Sequence, residues 1–438
     1  SCLFVLALIV LLPRVGSSPA GNGWSGAVGS AGRGPRGSAV ACARMAIRVG
    51  SRLSTADEDG CLPAVRAYHR IDGPGSSLDL REFQQAIWRL PEPARLGGSL
   101  RLEAALDPSM PWSRRLPRTV ALTIDTGTIV RAEPFDDDVI AVRSVEYDFE
   151  VSGRTGSIPA TRENWLLKIV EAFDLSGVRF VLRNLVEGTH SSGLGGSATA
   201  ATATALLANQ LADRPLDATQ LVGLASRMET EFGVSLTGTQ EQSNVVFGGV
   251  VDYLWCPWGE PGVPASGYGS SIRTTLIDEE GYADLESRMA IVHTGRQRAS
   301  SDTNAAWVDA LSDADRLPAI DRKLEAAYAY REALRVRDWP GVAAAIRAYR
   351  ATRTELCADY MAGADELHSR AEEAGGAVFP LGAGGGGGVL LFHEDPDGLA
   401  AMRSGIGDGY REIPFGLRAT GHDLENLPLM LGDHAHPE

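Results

Sequence analysis

Two glycine-rich turns carry the residue types and spacing of a site that handles anions. The first is His190-Ser191-Ser192-Gly193-Leu194-Gly195-Gly196-Ser197-Ala198. Residues 178–182 before it are short, apolar and β-branched, and residues 199–208 after it are small and alanine-rich, so the order is strand, turn, helix start. Free backbone N–H groups and the positive end of a helix dipole converge at such a place. Glycines let a phosphate approach the main chain, since no Cβ stands in the way. The same pattern also suits an ordinary tight turn, because a lone glycine motif has little specificity. The second turn, Gly382-Ala383-Gly384 to Gly388, lies between Ala377-Val378-Phe379 and Val389-Leu390-Leu391-Phe392. Apolar β-like residues on both sides favour a turn inside a sheet over a flexible linker.

The elements that would hold these turns follow in order. Residues 64–71 read as a strand and residues 72–77 as a turn; residues 91–118, with many prolines, arginines and glycines, read as an irregular insertion. Residues 119–130 and 139–147 read as strands and residues 164–173 as an amphipathic helix. A helix over about residues 217–232 precedes Gly238-Thr239-Gln240-Glu241-Gln242-Ser243-Asn244. Residues 289–293 form a further strand, and residues 319–336 and 342–374 read as helices with Pro340 as the break between them.

The chain has 438 residues, enough for two domains, and its net charge of −15 argues against a general nucleic-acid or acidic-membrane binder. Five scattered cysteines without CxxC spacing argue against a disulfide framework or zinc site and point to a reducing cytoplasm. The apolar run at residues 2–12 is short for a membrane span and lacks a basic segment before it. Residues to about Arg44 are rich in Gly, Ser, Ala, Pro and Arg, and Met45 follows; a disordered segment or an upstream start is the expectation, with a cleaved signal as the alternative. The expected division is residues 1–60 as a disordered or non-native extension, 61–262 as an N-terminal domain and 263–438 as a C-terminal domain.

Taken together, and in this order, several stretches resemble the GHMP kinase superfamily, and within it the sugar-kinase branch of heptose-phosphate kinases and fucokinases. Arg66-Ala67-Tyr68-His69-Arg70-Ile71, then Gly75 and Asp79, are similar to that branch's opening strand, and Thr123-Ile124-Asp125-Thr126 to its next. Gly193 to Ala198 resemble the family's phosphate loop, Gln240 to Gly249 its Q-D-Q motif, His293 to Ser301 its Y-T-G-x-S-R motif, and Gly382 to Phe392 its second glycine loop. Together these cover roughly residues 64–395.

The resemblance implies an α+β fold, with an N-terminal α/β nucleotide-binding domain and a C-terminal ferredoxin-like domain. It implies ATP- and Mg²⁺-dependent phosphorylation of a hydroxyl on a sugar, sugar phosphate or cyclitol. Gly193, Leu194, Gly195, Gly196, Ser197 and Ala198 would cradle the nucleotide phosphates; Ser197 and Glu229 would hold Mg²⁺. A solvated helix face beside Glu231 is the alternative for Glu229. Glu241 would be the base, with Glu standing where the family has Asp, and Arg70 would stabilise negative charge. Asp79, Thr294, Arg298, Gly384 and Gly385 would face the acceptor, although an ion pair at the sheet edge also explains Arg70 and Asp79. Two departures weaken the first loop: the family proline before it is absent, and Gly196 replaces the first of two paired serines. His190 reads as a loop histidine, and His434 and His436 as incidental. The partners implied are small molecules, with neither nucleic acid nor membrane, in a monomer or homodimer. The rival reading is a nucleotide- or sugar-binding regulatory protein that has lost turnover. Diphosphate decarboxylation is disfavoured by Thr294-Gly295 and by Gly382 to Phe392.

Overall fold

The computed structural model describes residues 61–80, 82–83, 95–96, 99–100, 117–187, 192–255, 271–296, 300–310, 313–404, 406–407 and 409–428. All elements named below belong to the compact unit Ile47–Glu438. Residues 1–60, the expected N-terminal extension, lie outside the described residues, as do His190, Arg298, His434 and His436.

The main sheet contains β1 (Cys61–Asp72), β2 (Arg118–Pro134), β3 (Val139–Ser144), β4 (Phe149–Arg154), β5 (Val178–Asn184), β6 (Val250–Trp255) and β7 (Ser271–Ile277). A second sheet is made of β8 (Met289–His293), β9 (Ala377–Pro380), β10 (Gly388–Phe392) and β11 (Arg411–Ile413), in the order β9-β10-β8-β11. The last strand, β12 (His422–Pro428), returns to the main sheet, whose order is β12-β1-β2-β5-β3-β4, with β6 on β2 and β7 on β6. Thus β7 and β12, from the chain's second half, are hydrogen-bonded into the sheet of the first half. β3 and β5 are parallel, and the other paired strands of this sheet are antiparallel.

The helices are α1 (Trp165–Glu171), α2 (Gly196–Leu211), α3 (Ala218–Glu231), α4 (Gln240–Phe247), α5 (Tyr282–Glu286), α6 (Ser300–Ala310), α7 (Leu317–Val336), α8 (Trp339–Leu356), α9 (Asp365–Glu373) and α10 (Pro396–Ser404). One face of the main sheet packs on α1, α2 and α3 through Val65, Val130, Phe180, Leu167, Leu207 and Leu224. Ile71, Val120 and Leu122 pack instead with Tyr330, Leu334 and Ile346 of α7 and α8 and with Phe379 and Leu390 of the second sheet. β1 is therefore covered on both faces, and its polar residues His69, Arg70 and Asp72 are buried with it.

The α+β class and the elements named from the sequence match, except at Pro340 and over residues 342–374; β4, β6, β7, β11, β12, α4, α5, α6 and α10 are additional to that reading. Pro340 is not a break. It sits in the first turn of α8, where its missing N–H costs no hydrogen bond, and the chain instead turns at Arg337, whose φ is 57°, before the Asp338 cap. The helical pattern over residues 342–374 is split at Cys357, which is extended, into α8 and α9. β4 is an additional strand: it is largely exposed, with a burial pattern carrying no apolar alternation to betray it.

Candidate active site

Each functional side chain is delivered by a local feature that the sequence explains. α2 begins at Gly195, whose φ of 83° is left-handed and whose missing side chain leaves the first turn without a side-chain cap. A Cβ on Gly195 would lie 3.1 Å from Glu241 Cγ and 3.6 Å from Arg70 Cζ, so glycine is required both for the turn and for the close approach of the charged pair. The small residues of α2 let the helix lie against β1 and β2, and 11 of its 16 residues are buried.

α3 starts on a reciprocal capping box: Asp217 accepts from Gln220 N at 2.8 Å, and Gln220 Oε1 accepts from Asp217 N at 2.9 Å. From that start Val222, Ala225, Ser226 and Glu229 recur on the buried face. Glu229 is therefore not on a solvated face. It is 1 % exposed and accepts from Ser197 Oγ at 2.7 Å and from Gln242 Nε2 at 2.7 Å. Burial pushes its carboxyl up to about 7, against the pull of the Ser197 bond, and the nearby Glu241 adds to the rise.

α4 is held from a distance. Asp79 Oδ2 accepts from Gln240 N at 2.9 Å, acting as an acceptor at the helix N-terminus where Thr239 supplies none through its side chain. Burial, with Glu241 second, raises the Asp79 carboxyl to about 7. One residue on, Glu241 accepts from Arg70 Nη2. Arg70 Nη1 also donates to Gly193 O at 3.0 Å and lies 3.5 Å from Asp72 Oδ1. The Arg70 side chain is 3 % exposed and that of Glu241 22 %, so the carboxylate is the member of the pair that a ligand can reach.

The two glycine turns meet backbone to backbone. Gly388 N donates to Ser192 O at 2.6 Å, and Gly382 N donates to Asp72 Oδ1 at 2.9 Å. Arg353 donates to Gly382 O and Ala383 O, each at 3.2 Å, and its guanidinium lies 4.4 Å from the ring centres of both Trp307 and Tyr360.

These elements enclose a cavity of about 590 Å³. Its lining includes Arg70, Gly193, Gly195, Gly196, Ser197, Ala198, Glu229, Glu241, Gly382 and Ala383, and also the apolar and aromatic residues Tyr147, Phe149, Trp165, Leu166 and Leu182. Among the sequence-derived site residues, Leu194 packs into the core, Asp79 holds α4, and Thr294 donates to Gly387 O at 3.1 Å; none of the three lines this cavity. Gly384 and Gly385 are also off it, in the second turn. His69, Asp72, Gln242 and Arg353 belong to the site's surroundings without having been singled out. His69 and Gln242 each stand beside a residue that was and Asp72 is two positions from Arg70, whereas Arg353 sits in an ordinary amphipathic helix with no local signal.

Ser197 Oγ and Glu229 Oε1 are adjacent hard oxygen donors, a set that fits Mg²⁺ when phosphate oxygens and waters complete an octahedron. Among the described residues no group of three His, Cys, Asp or Glu side chains is placed to hold a metal ion, so phosphate would have to share the ion. No helix of the described residues is long and apolar enough to cross a membrane.

Residues 164–249, from the start of α1 to the end of α4, match the family described as GHMP kinases N terminal domain. No curated protein matches the chain. Among solved structures, a D-glycero-D-manno-heptose 1-phosphate kinase from Bacteriodes thetaiotaomicron is 16% identical, with 83% of this chain and 99% of that one covered and a TM-score of 0.56. Lactococcus lactis galactokinase, complexed with galactose, is 13% identical over 82% of this chain and 94% of that one, with a TM-score of 0.55. Streptococcus pneumoniae phosphomevalonate kinase, in complex with phosphomevalonate and AMPPNP, is 15% identical over 81% and 99%, with a TM-score of 0.56.

Proposed function

We propose that this chain, which has the GHMP kinase fold and carries a GHMP kinase N-terminal domain at residues 164–249, is an ATP-dependent kinase acting on a hydroxyl of a sugar, sugar phosphate or cyclitol. The observation that carries the reading is the convergence of the Arg70–Glu241 pair, the Ser197–Glu229 pair and the α2 N-terminus on one cavity. Phosphoryl transfer asks mainly for positioning and for neutralisation of charge. The N–H groups opening α2 would hold the phosphates, and the aromatic residues lining the cavity, Tyr147, Phe149 and Trp165, are suited to a nucleobase. Bound Mg²⁺, held by Ser197 and Glu229, would neutralise phosphate oxygens. The acceptor oxygen bonds to the γ-phosphorus as the bond to the β,γ-bridging oxygen breaks, and the acceptor's proton passes to Glu241. Arg70 holds Glu241 toward the loop through one nitrogen and the Gly193 carbonyl through the other.

Sugar-type acceptors are favoured over mevalonate-type ones by the match of Thr294-Gly295 and of Gly382 to Phe392 to the sugar branch. The same Arg70–Glu241 pair supports a second reading, a regulatory binder whose carboxylate is tied up by the guanidinium. The test is ADP release from MgATP across a panel of free and phosphorylated hexoses, heptoses and cyclitols, with Glu241→Gln alongside. Turnover on a panel member that drops at least about 100-fold in the variant, with MgATP binding kept, supports the kinase. MgATP binding with no turnover on any acceptor supports the binder, and absence of nucleotide binding sinks both.

A further inference from the structure

We propose that His69 is a phosphate-contacting residue of the first glycine turn, donating its Nε2–H to an oxygen of the bound nucleotide from β1. The inference rests on the nucleotide-phosphate reading of that turn.

The placement begins in the strand register. β1 and β2 pair antiparallel until Tyr68, which opposes Gly127; His69 then opposes Ile124, leaving Asp125 and Thr126 as extra residues on β2. A bulge of this kind re-aims the neighbouring side chains. Here it brings Thr126 Oγ1 to 3.2 Å from His69 Nδ1, deep in the structure, with His69 only 2 % exposed and Thr126 fully buried. The other ring nitrogen, Nε2, is buried and has no hydrogen-bond partner among the described residues. Leaving such a group unpaired is costly, which makes it a marker for a missing ligand.

Nε2 lies close to Gly196. His69 lines the cavity together with Gly195, Gly196 and Ser197, and a Cβ built on Gly196 would meet nothing nearer than His69 Nε2, at 3.9 Å. The nitrogen thus lies buried beside the first residue of α2, in the cavity wall at the helix N-terminus where an anion would bind. Burial, reinforced by Arg70, lowers the histidine to about 3, so the ring is neutral at ordinary pH and offers one N–H. That proton is assigned to Nε2, the tautomer in which the Thr126 hydroxyl donates to Nδ1. A side-chain donor therefore reaches the turn from β1, at the position where Gly196 itself supplies no hydroxyl.

The test is calorimetric titration of the full chain with adenosine, MgADP and MgATP. The variants are His69→Leu, His69→Asn (which keeps a partner for Thr126 but shortens the reach) and His69→Leu combined with Gly196→Ser. Loss of a hydrogen bond to a charged oxygen should weaken MgADP and MgATP by about 10-fold or more in both single variants. Adenosine, which has no phosphate, should bind as the parent does, and the serine should restore part of the lost affinity. Parental MgADP and MgATP affinity in a folded variant overturns the proposal while leaving the nucleotide reading intact. Equal loss for adenosine makes His69 a packing residue and also overturns it. If the parent itself binds neither MgADP nor MgATP, the nucleotide reading fails and this inference falls with it.

Discussion

Gly195 in the first glycine turn and Gly384 in the second adopt the same backbone angle, a φ of 83°, yet their surroundings are opposite. Around Gly195 the space a side chain would need is taken by Glu241 and Arg70, at the mouth of the cavity. Around Gly384 it is taken by the buried ring of Tyr360, whose Cδ2 would lie 2.1 Å from a Cβ. Tyr360 in turn donates to Pro380 O at 2.9 Å and covers the Arg353 guanidinium that holds the start of the turn. Only Gly382 and Ala383 of the second turn reach the cavity. The same local demand for glycine therefore serves ligand geometry in one turn and packing of a hairpin in the other.

Substitutions at the two glycines test that contrast directly. Gly195→Ala should push the Arg70–Glu241 pair out of place, and a displacement of about 1 Å is enough for a loss of about 100-fold in kcat/KM. Its melting temperature should also fall, from the strain of a Cβ at a φ of 83°, but by less than for Gly384→Ala, whose Cβ in addition meets the Tyr360 ring. Gly384→Ala should act mainly on stability, lowering the unfolding free energy by about 2 kcal/mol through strain and overpacking. Nucleotide affinity per folded molecule should then stay at the parental value. Paired denaturant melts and kinetic assays read both; a Gly195→Ala protein with full activity would break the comparison.

A smaller effect concerns the two carboxyls raised by burial. Asp79 and Glu229 both titrate near about 7, above their unfolded values, so the folded state holds protons that the unfolded state has released. Their contribution is complete below about pH 4 and is lost as pH rises through about 7. The unfolding free energy of the ligand-free protein should accordingly fall over that range. Asp79→Asn keeps an acceptor for Gln240 N while removing one ionisable group, and should recover about 1 kcal/mol at pH 8 with little change at pH 4. Urea melts at the two pH values measure this; an unchanged slope would show that Asp79 is ionised in the folded state throughout.

Much of the site was legible because it is local in the chain. The strand, glycines and helix start around Gly193 to Ala198 stand in sequence order, and so does the helix that bears Glu229, although its capping box and the inward orientation of Glu229 are seen only in the structure. Asp79 shows the limit. Its residue type suggested a ligand for acceptor hydroxyls, but the carboxylate faces the N-terminus of α4, from a position far away in the chain. His69 shows another, because its orientation depends on two extra residues in a partner strand, and no pattern along β1 records them. Pro340 misled for a local reason: proline breaks a helix interior but is at ease in a first turn, and the difference is a shift of a few residues in where α8 begins.

What the sequence alone determined about this protein is what period, turn chemistry and short motifs encode: the two glycine turns, the helix that bears Glu229 and the motif that bears Glu241, with the α+β class implied by the family those motifs resemble. These depend on steric and hydrogen-bonding preferences that act over a few residues. Only the tertiary structure decided which of them meet. It returned β12 from the C-terminal end to the side of β1, laid the second glycine turn on the first, and brought Arg70 to Glu241 and Arg353 to Gly382. Those contacts arise because covering both faces of β1 with apolar layers forces buried charges to find partners wherever the packing has placed them, and burial of a charge is tolerated only when it is paired.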